Sequence, residues 1–216
     1  MPPATQKVLA ALSETGLLLV QDKRLPSVVG LIAGETLKGS WWSHPKGQLI
    51  FAVLSELADH DDVLFAKLLH GKVTLVHRRL WPALIAAVSK AEPWQLEGLS
   101  DAARDLLASV TAARGEIIAS GAVGKELERR LLVHSQETHT ETGRHAIALE
   151  SWSKWSKRAR VKPLRSPSAA RQQIEEAVEG LGGEKHRRCH GAPRNRIHEE
   201  GQDDGDRRDA ARPTGA

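Results

Sequence analysis

The 216-residue chain is poor in sulfur and in most aromatics: one Cys, one Met, two Phe and no Tyr, set against six Trp. A single thiol, Cys189, excludes an intrachain disulfide framework and a cysteine-cluster zinc site. No run of about 18 apolar residues occurs, so no membrane-crossing helix is expected. The start, Met1-Pro2-Pro3-Ala4-Thr5-Gln6-Lys7, lacks the charged head, apolar run and cleavage site of a secretory signal. The expectation is a cytoplasmic protein. There is no G-x-G-x-x-G, no P-loop and no G-x-S-x-G. Nucleotide-cofactor and activated-serine readings therefore lose their usual support, and no cofactor is expected.

Charge is balanced. Thirty-one Lys+Arg against 27 Asp+Glu give a net charge of +4. Residues 1–99 hold 10 basic and 9 acidic side chains, residues 100–182 hold 13 and 11, and residues 183–216 hold 8 and 7. The total says nothing about partners, and only local clusters can. From Gly183 to Ala216 the one large aliphatic residue is Ile197. Such a segment cannot bury enough apolar surface to offset its ordering entropy, so a disordered tail is expected. Glu92-Pro93-Trp94 marks a boundary within the rest. The division expected is an N-terminal α+β domain over 1–98, a helical domain over 99–182 and the tail over 183–216.

Hydrophobic spacing predicts a helix over 5–13 and a buried strand over 17–20, with a short helix over 25–34. A loop over 39–47 leads into a helix ending near Ala58. Val63 to Leu69 and Lys72 to His77 flank the two-residue turn His70-Gly71, a β-hairpin signature. A helix over 80–88 follows. Ser100 is a good N-cap for a helix to Ala113. A second helix is expected over 124–133, then a hairpin over 136–147 turning at Thr142-Gly143, then amphipathic helices over 149–158 and 169–181. The fold class expected is α+β, mostly helical with one or two antiparallel hairpins, its second half winged-helix-like.

Four constellations carry functional expectations. Lys154, Lys157, Arg158, Arg160, Lys162 and Arg165 form a basic run with no acidic residue between 151 and 165, opened by Trp152 and Trp155. Cations neutralise phosphates and indoles stack on bases. The bland account is a solvated helix end with both Trp packed inward. The helix–helix–hairpin order from Ser100 to Ile147 places Lys125, Arg129 and Arg130 on a helix and Arg144 at the hairpin turn, all candidates for phosphate. His134, His139 and His145 flank Glu137 and Glu141, but the spacing matches no metal signature and no metal site is expected. Finally, Trp41-Trp42-Ser43-His44-Pro45-Lys46 and His77-Arg78-Arg79-Leu80-Trp81 crowd histidine, cations and indole at element ends. If they converge, they build an anion pocket walled by Trp41, Trp42 and Trp81 and completed by Lys46.

The strings Gly39-Ser40-Trp41-Trp42-Ser43-His44-Pro45 and Gly71-Lys72-Val73-Thr74-Leu75-Val76-His77-Arg78-Arg79-Leu80-Trp81 resemble a group of uncharacterised bacterial proteins. The second half resembles winged-helix DNA-binding proteins, among them winged-helix DNA glycosylases. Those glycosylases use a Gln-x-Gln or Gln-x-Asp motif in the folded domain. Here that spacing occurs from Gln202 to Asp204, in the tail. The leading expectation is a nucleic-acid-binding protein, for DNA, with low sequence specificity. The alternatives are an enzyme on a phosphorylated or nucleic-acid substrate, with His44 or His77 as acid/base and Arg78 or Arg79 as anion clamp, and a protein-interaction module docking through 169–181.

Overall fold

A computed structural model of the chain describes residues 1–119, 121–139 and 145–182. Helix α1 (Pro3–Thr15) stops at Gly16, whose φ of +81° suits glycine and whose N–H closes on Leu12 O at 2.7 Å. The turn sends the chain into β1 (Leu17–Leu19), buried throughout. Ser27 caps α2 (Val28–Ala33) by accepting from the Gly30 N–H at 3.1 Å. A 3-10 turn at Trp41–Ser43 leads to α3 (Gly47–Ala58), which buries Ile50, Val53 and Leu57. Strands β2 (Val63–Leu69) and β3 (Lys72–His77) form the expected hairpin, and His70 and Gly71 both take positive φ, as a tight primed turn requires. β1 joins the other side of β3, so the antiparallel order is β1-β3-β2. Helix α4 (Trp81–Val88) follows through a short turn at Arg78–Leu80.

The second half holds α5 (Pro93–Leu96), α6 (Asp101–Ala112), β4 (Ile117–Ala119), α7 (Ala122–Arg129), β5 (His134–His139) and β6 (His145–Glu150). It ends with α8 (Trp152–Arg158) and α9 (Pro167–Gly180). Two differences from the sequence reading stand out. The strand β4 was not foreseen, and it turns the hairpin into a sheet of order β4-β6-β5. Helix α7 ends at Arg129, short of the expected 133, because Leu131 adopts a φ of +53°. The proposed turn at Thr142-Gly143, with Arg144 beside it, lies outside the described residues, as does the tail over 183–216.

The first sheet is buried on both faces, and its alternation sorts them. Leu18, Val63 and Leu75 point into a core with α1, α2 and α3. Leu17, Leu19, Leu64, Ala66 and Val76 point the other way, into a core shared with α4, α8 and α9. Each fully buried leucine contributes roughly 1.5–3 kcal/mol. A third core joins α6, α7 and the second sheet through Ala103, Val110, Leu127 and Leu149. The fold is α+β and mostly helical. The core behind β2 crosses the expected boundary at 98, since Leu131, Trp152, Trp155, Val178 and Leu181 all belong to it. The apolar stripe of α9 is covered internally. Val178 and Leu181 are buried in that core and Ala170 packs with Ala83 and Ala86 of α4, so the stripe proposed for a protein partner has its partner within the chain. Among the described residues, no helix is long and apolar enough to cross a membrane.

Candidate nucleic-acid interface

Helix α7 is fixed on one side and open on the other. A Cβ added to Gly124 would stand 2.7 Å from Ile147 Cδ1, so the absent side chain lets α7 lie close on β6. Leu127 and Glu128 face inward with it. Glu128 accepts from Lys67 Nζ at 2.7 Å and from Ser135 Oγ at 2.6 Å, which anchors α7 to β2 and β5. Lys125 and Arg129, one turn apart, are exposed and make no ion pair among the described residues. The aliphatic part of Arg129 lies beside Gly71 at the tip of the β2–β3 turn.

Arg130 has a different task. Its Nη1 donates to the carbonyls of Trp94, Gln95 and Glu97, at 3.4, 3.2 and 2.6 Å. It therefore closes the C-terminal end of α5, where carbonyls lack helical partners. Gln95, buried, donates from the other side to the carbonyls of Arg130 and Leu131. Between these elements opens a cleft of about 400 Å³ lined by Trp94, Glu126, Arg129 and Arg130. The Trp94 indole N–H donates to Glu92 Oε2 at 3.1 Å. Glu126 accepts from the Ser100 N–H at 3.0 Å and the Ser100 hydroxyl at 2.7 Å. Those two donors hold its carboxyl below the usual glutamate range, so it is an anion at neutral pH.

The basic run divides in two. Lys154 Nζ donates to the carbonyls of Val110, at 2.9 Å, of Thr111, at 3.2 Å, and of Ala113, closing the end of α6. Arg158 pairs with Glu150 and reaches Glu116 at 4.0 Å. Lys157, Arg160, Lys162 and Arg165 are exposed with no ion pair among the described residues. Trp152 and Trp155 do not face a ligand. Both are buried, 5.9 Å apart edge to face, and Trp81 packs on Trp155 at 5.2 Å. His134 is stacked on Trp155 at 5.4 Å, with Nδ1 3.3 Å from Glu150 Oε1 but without a hydrogen-bond partner. No group of three metal-ligating side chains occurs among the described residues.

The two loops of the first half do not converge. Trp41 belongs to the core on the α1–α3 face of the first sheet, and Trp81 to the core on the opposite face. Among the described residues, no hydrogen bond or ion pair joins the two segments. Lys46 Nζ donates to the carbonyls of Ile32 and Ala33, at 2.9 and 3.0 Å, closing α2 rather than lining a pocket. His44 lies 3.5 Å from Glu35 and accepts from the Lys46 N–H. His77 accepts from the Arg79 N–H at 3.3 Å. Its pKa is lowered, first by burial and then by Arg79 and His60, against an opposing pull from Asp62. Arg79 donates to Glu14 O at 2.8 Å, and Arg78 sits 3.6 Å from Asp62 and over the Trp81 ring. Trp42 is the exception to burial. It is 64% exposed, stacked on Trp41 at 3.9 Å and 5.7 Å from the exposed Phe51.

Sequence reasoning did not single out Trp94, which lines the cleft beside α7. Its neighbours carried a signal: Glu92-Pro93-Trp94-Gln95 has Pro at the first helical position and Gln at the third, where a capping box places it. Compared with protein-family models, curated proteins and solved structures, the chain matches none.

Proposed function

We propose that the chain binds nucleic acid, DNA in the first instance, with low sequence specificity, through the outward face of α7 and the cations that follow α8. The observation that carries the reading is the pair Lys125 and Arg129, exposed one turn apart on a helix whose other face is locked to two sheets. A rigid helix presenting unpaired cations is suited to phosphate, because no ion pair need be broken on binding. The order α6-β4-α7-β5-β6 supports it as well. A helix followed by a pair of antiparallel strands is an arrangement that winged helices also use, although one helix rather than two lies here between β4 and β5. Lys157, Arg160, Lys162 and Arg165 are a second group of exposed cations, in and after α8.

The reading narrows the original set. Arg130, Lys154 and Arg158 are bound to carbonyls and carboxylates of the chain itself, so their charge is largely used within it. The test is an electrophoretic shift series on the full chain with duplex DNA at rising salt. Binding should be strongest at the lowest salt. The variant Lys125→Glu/Arg129→Glu should weaken it about tenfold or more and reduce the slope of log affinity on log salt by about 2. No shift at the lowest salt would end the proposal.

A further inference from the structure

We infer that His60 and His77 form an acid-sensitive latch, which holds the turn into β2 and the turn out of β3 together while both imidazoles are neutral and releases them on protonation. The inference goes beyond the nucleic-acid reading and does not depend on it.

Both histidines use the same local bond. His60 Nδ1 accepts the Asp62 N–H at 3.1 Å, and His77 Nδ1 accepts the Arg79 N–H at 3.3 Å. Each ring reaches forward two residues, as an Asn or Asp side chain does in an Asx-turn. A ring nitrogen that accepts carries no proton. The neutral ring therefore holds its proton on Nε2. An imidazolium has a proton on each nitrogen and can make neither bond.

The two turns are tied to each other. Val63 at the start of β2 pairs with His77 at the end of β3. The Asp62 carbonyl accepts from the Arg78 N–H at 2.9 Å, while the Asp62 N–H is the one bound to His60. The next N–H along, that of Arg79, is the one His77 takes. Both residues also reach the end of α1. The His77 N–H donates to Gly16 O at 2.9 Å, and Arg79 Nη2 donates to Glu14 O at 2.8 Å. The junction of α1, the β2–β3 hairpin and α4 thus rests on two acceptors that a proton abolishes.

The surroundings favour the neutral form. The pKa of His77 is lowered by burial first, with Asp62 opposing and with Arg79 and His60 adding to the fall. The Asp62 carboxylate is shared with Arg78, 3.6 Å away. Glu14 meets Arg79 through its carbonyl, and Asp59 and Asp61, beside His60 in the chain, are exposed. A histidine lowered on folding adds stability that is complete above its ordinary value of 6.5 and is lost as the pH falls through the lower, folded one. His44 makes the same bond, to the Lys46 N–H at 3.1 Å, but its Nε2 lies 3.5 Å from Glu35, whose carboxylate offsets an added charge. It stands outside the latch.

The experiment compares the full chain with His60→Asn/His77→Asn between pH 8 and pH 5.5. Asparagine can accept the same N–H two residues on and does not titrate. The urea midpoint of the parent should fall further over that range than the variant's. Amide exchange, corrected for its intrinsic pH dependence, should show the Asp62 and Arg79 N–H groups losing protection several fold at pH 5.5 in the parent and keeping it in the variant. Nitrogen NMR of the parent at pH 8 reads the tautomers without any variant that must fold, and both rings should be protonated at Nε2 alone. A proton on Nδ1 of either ring, or midpoints that fall in parallel for parent and variant, would overturn the inference.

Discussion

Lys67 on β2 and Glu128 on α7 meet across the two halves of the chain, with Nζ 2.7 Å from Oε2. Glu128 is buried and its other oxygen takes the Ser135 hydroxyl, so the carboxylate has partners on two sheets. The pair does for α7 what Arg130 does for α5. It spends charge inside the molecule to fix a helix, and leaves Lys125 and Arg129 as the cations that face out.

Glu128→Ala should therefore cost stability more than an exposed ion pair would. It leaves the Lys67 ammonium partly buried and the Ser135 hydroxyl without its acceptor. A loss of about 2–3 kcal/mol is expected in a denaturant unfolding curve. Replacing both partners, as Lys67→Met/Glu128→Leu, should cost less than Glu128→Ala alone, because no unpaired charge remains. A double variant weaker than the single would show that the pair is not the tie described.

A second carboxylate, Glu150, predicts a pH dependence. Burial pushes its pKa up, but His134 and Arg158 beside it outweigh that and hold it below the ordinary glutamate value. A carboxyl lowered on folding adds stability above its unfolded pKa, and that stability is lost as pH falls through the folded one. Glu150→Gln should lose about 1 kcal/mol at neutral pH, since Arg158, more than half exposed, is rehydrated when it loses its anion. The gap between parent and variant should close as the pH is lowered past the carboxylate range. A gap that does not change with pH would assign the loss to packing instead.

How much of this was legible can be read from single elements. The β2–β3 hairpin showed itself because His70-Gly71 supplies the turn chemistry between two apolar runs, the second of them β-branched, and α6 because Ser100 is an N-cap whose hydroxyl does accept from the Ala103 N–H. β4 did not, because three residues are too few to display a period. The end of α7 did not, because Leu131-Leu132-Val133 continues an apolar pattern and only a positive φ at a non-glycine residue breaks the helix. For the site, residue type misled where a cation had an internal use. Lys46, Arg130 and Lys154 all close helix ends by binding carbonyls, a role that depends on which strands and helices come together in space. Trp41 and Trp81 are likewise separated by a sheet whose two faces the sequence does not label.

Asp22 gives the clearest acid window. Its carboxylate is raised by burial but lowered more by Lys72 Nζ at 2.5 Å and by the N–H groups of Arg24 and Leu25, which bring it down to about 2 from an ordinary 3.8. The stabilisation is complete above pH 3.8 and is lost as the pH falls through about 2. Lys72 is half exposed, so solvent screening reduces the contribution to about 1 kcal/mol. Thermal unfolding of the parent and Asp22→Asn should differ at pH 5 and converge at pH 2. Melting curves that keep the same separation at both values would refute the linkage.

The last prediction concerns Gly16, where two constraints meet. Its φ of +81° penalises any side chain, and a Cβ there would stand 2.8 Å from Arg79 Nη2 and 2.9 Å from Leu80 Cδ1. Arg79 cannot simply swing away, because Nη2 donates to Glu14 O at 2.8 Å in the last turn of α1. Gly16→Ala should therefore cost about 1–3 kcal/mol, seen as a lower midpoint in urea with an unchanged slope. The two contributions can be separated. Arg79→Ala removes the nearer contact and keeps the backbone strain. Adding Gly16→Ala to an Arg79→Ala background should cost less than adding it to the parent, with about 1 kcal/mol or more remaining for the left-handed φ and the Leu80 contact together. If the alanine is equally costly in both backgrounds, the approach of Arg79 is irrelevant and the strain at Gly16 is that of the turn and of Leu80.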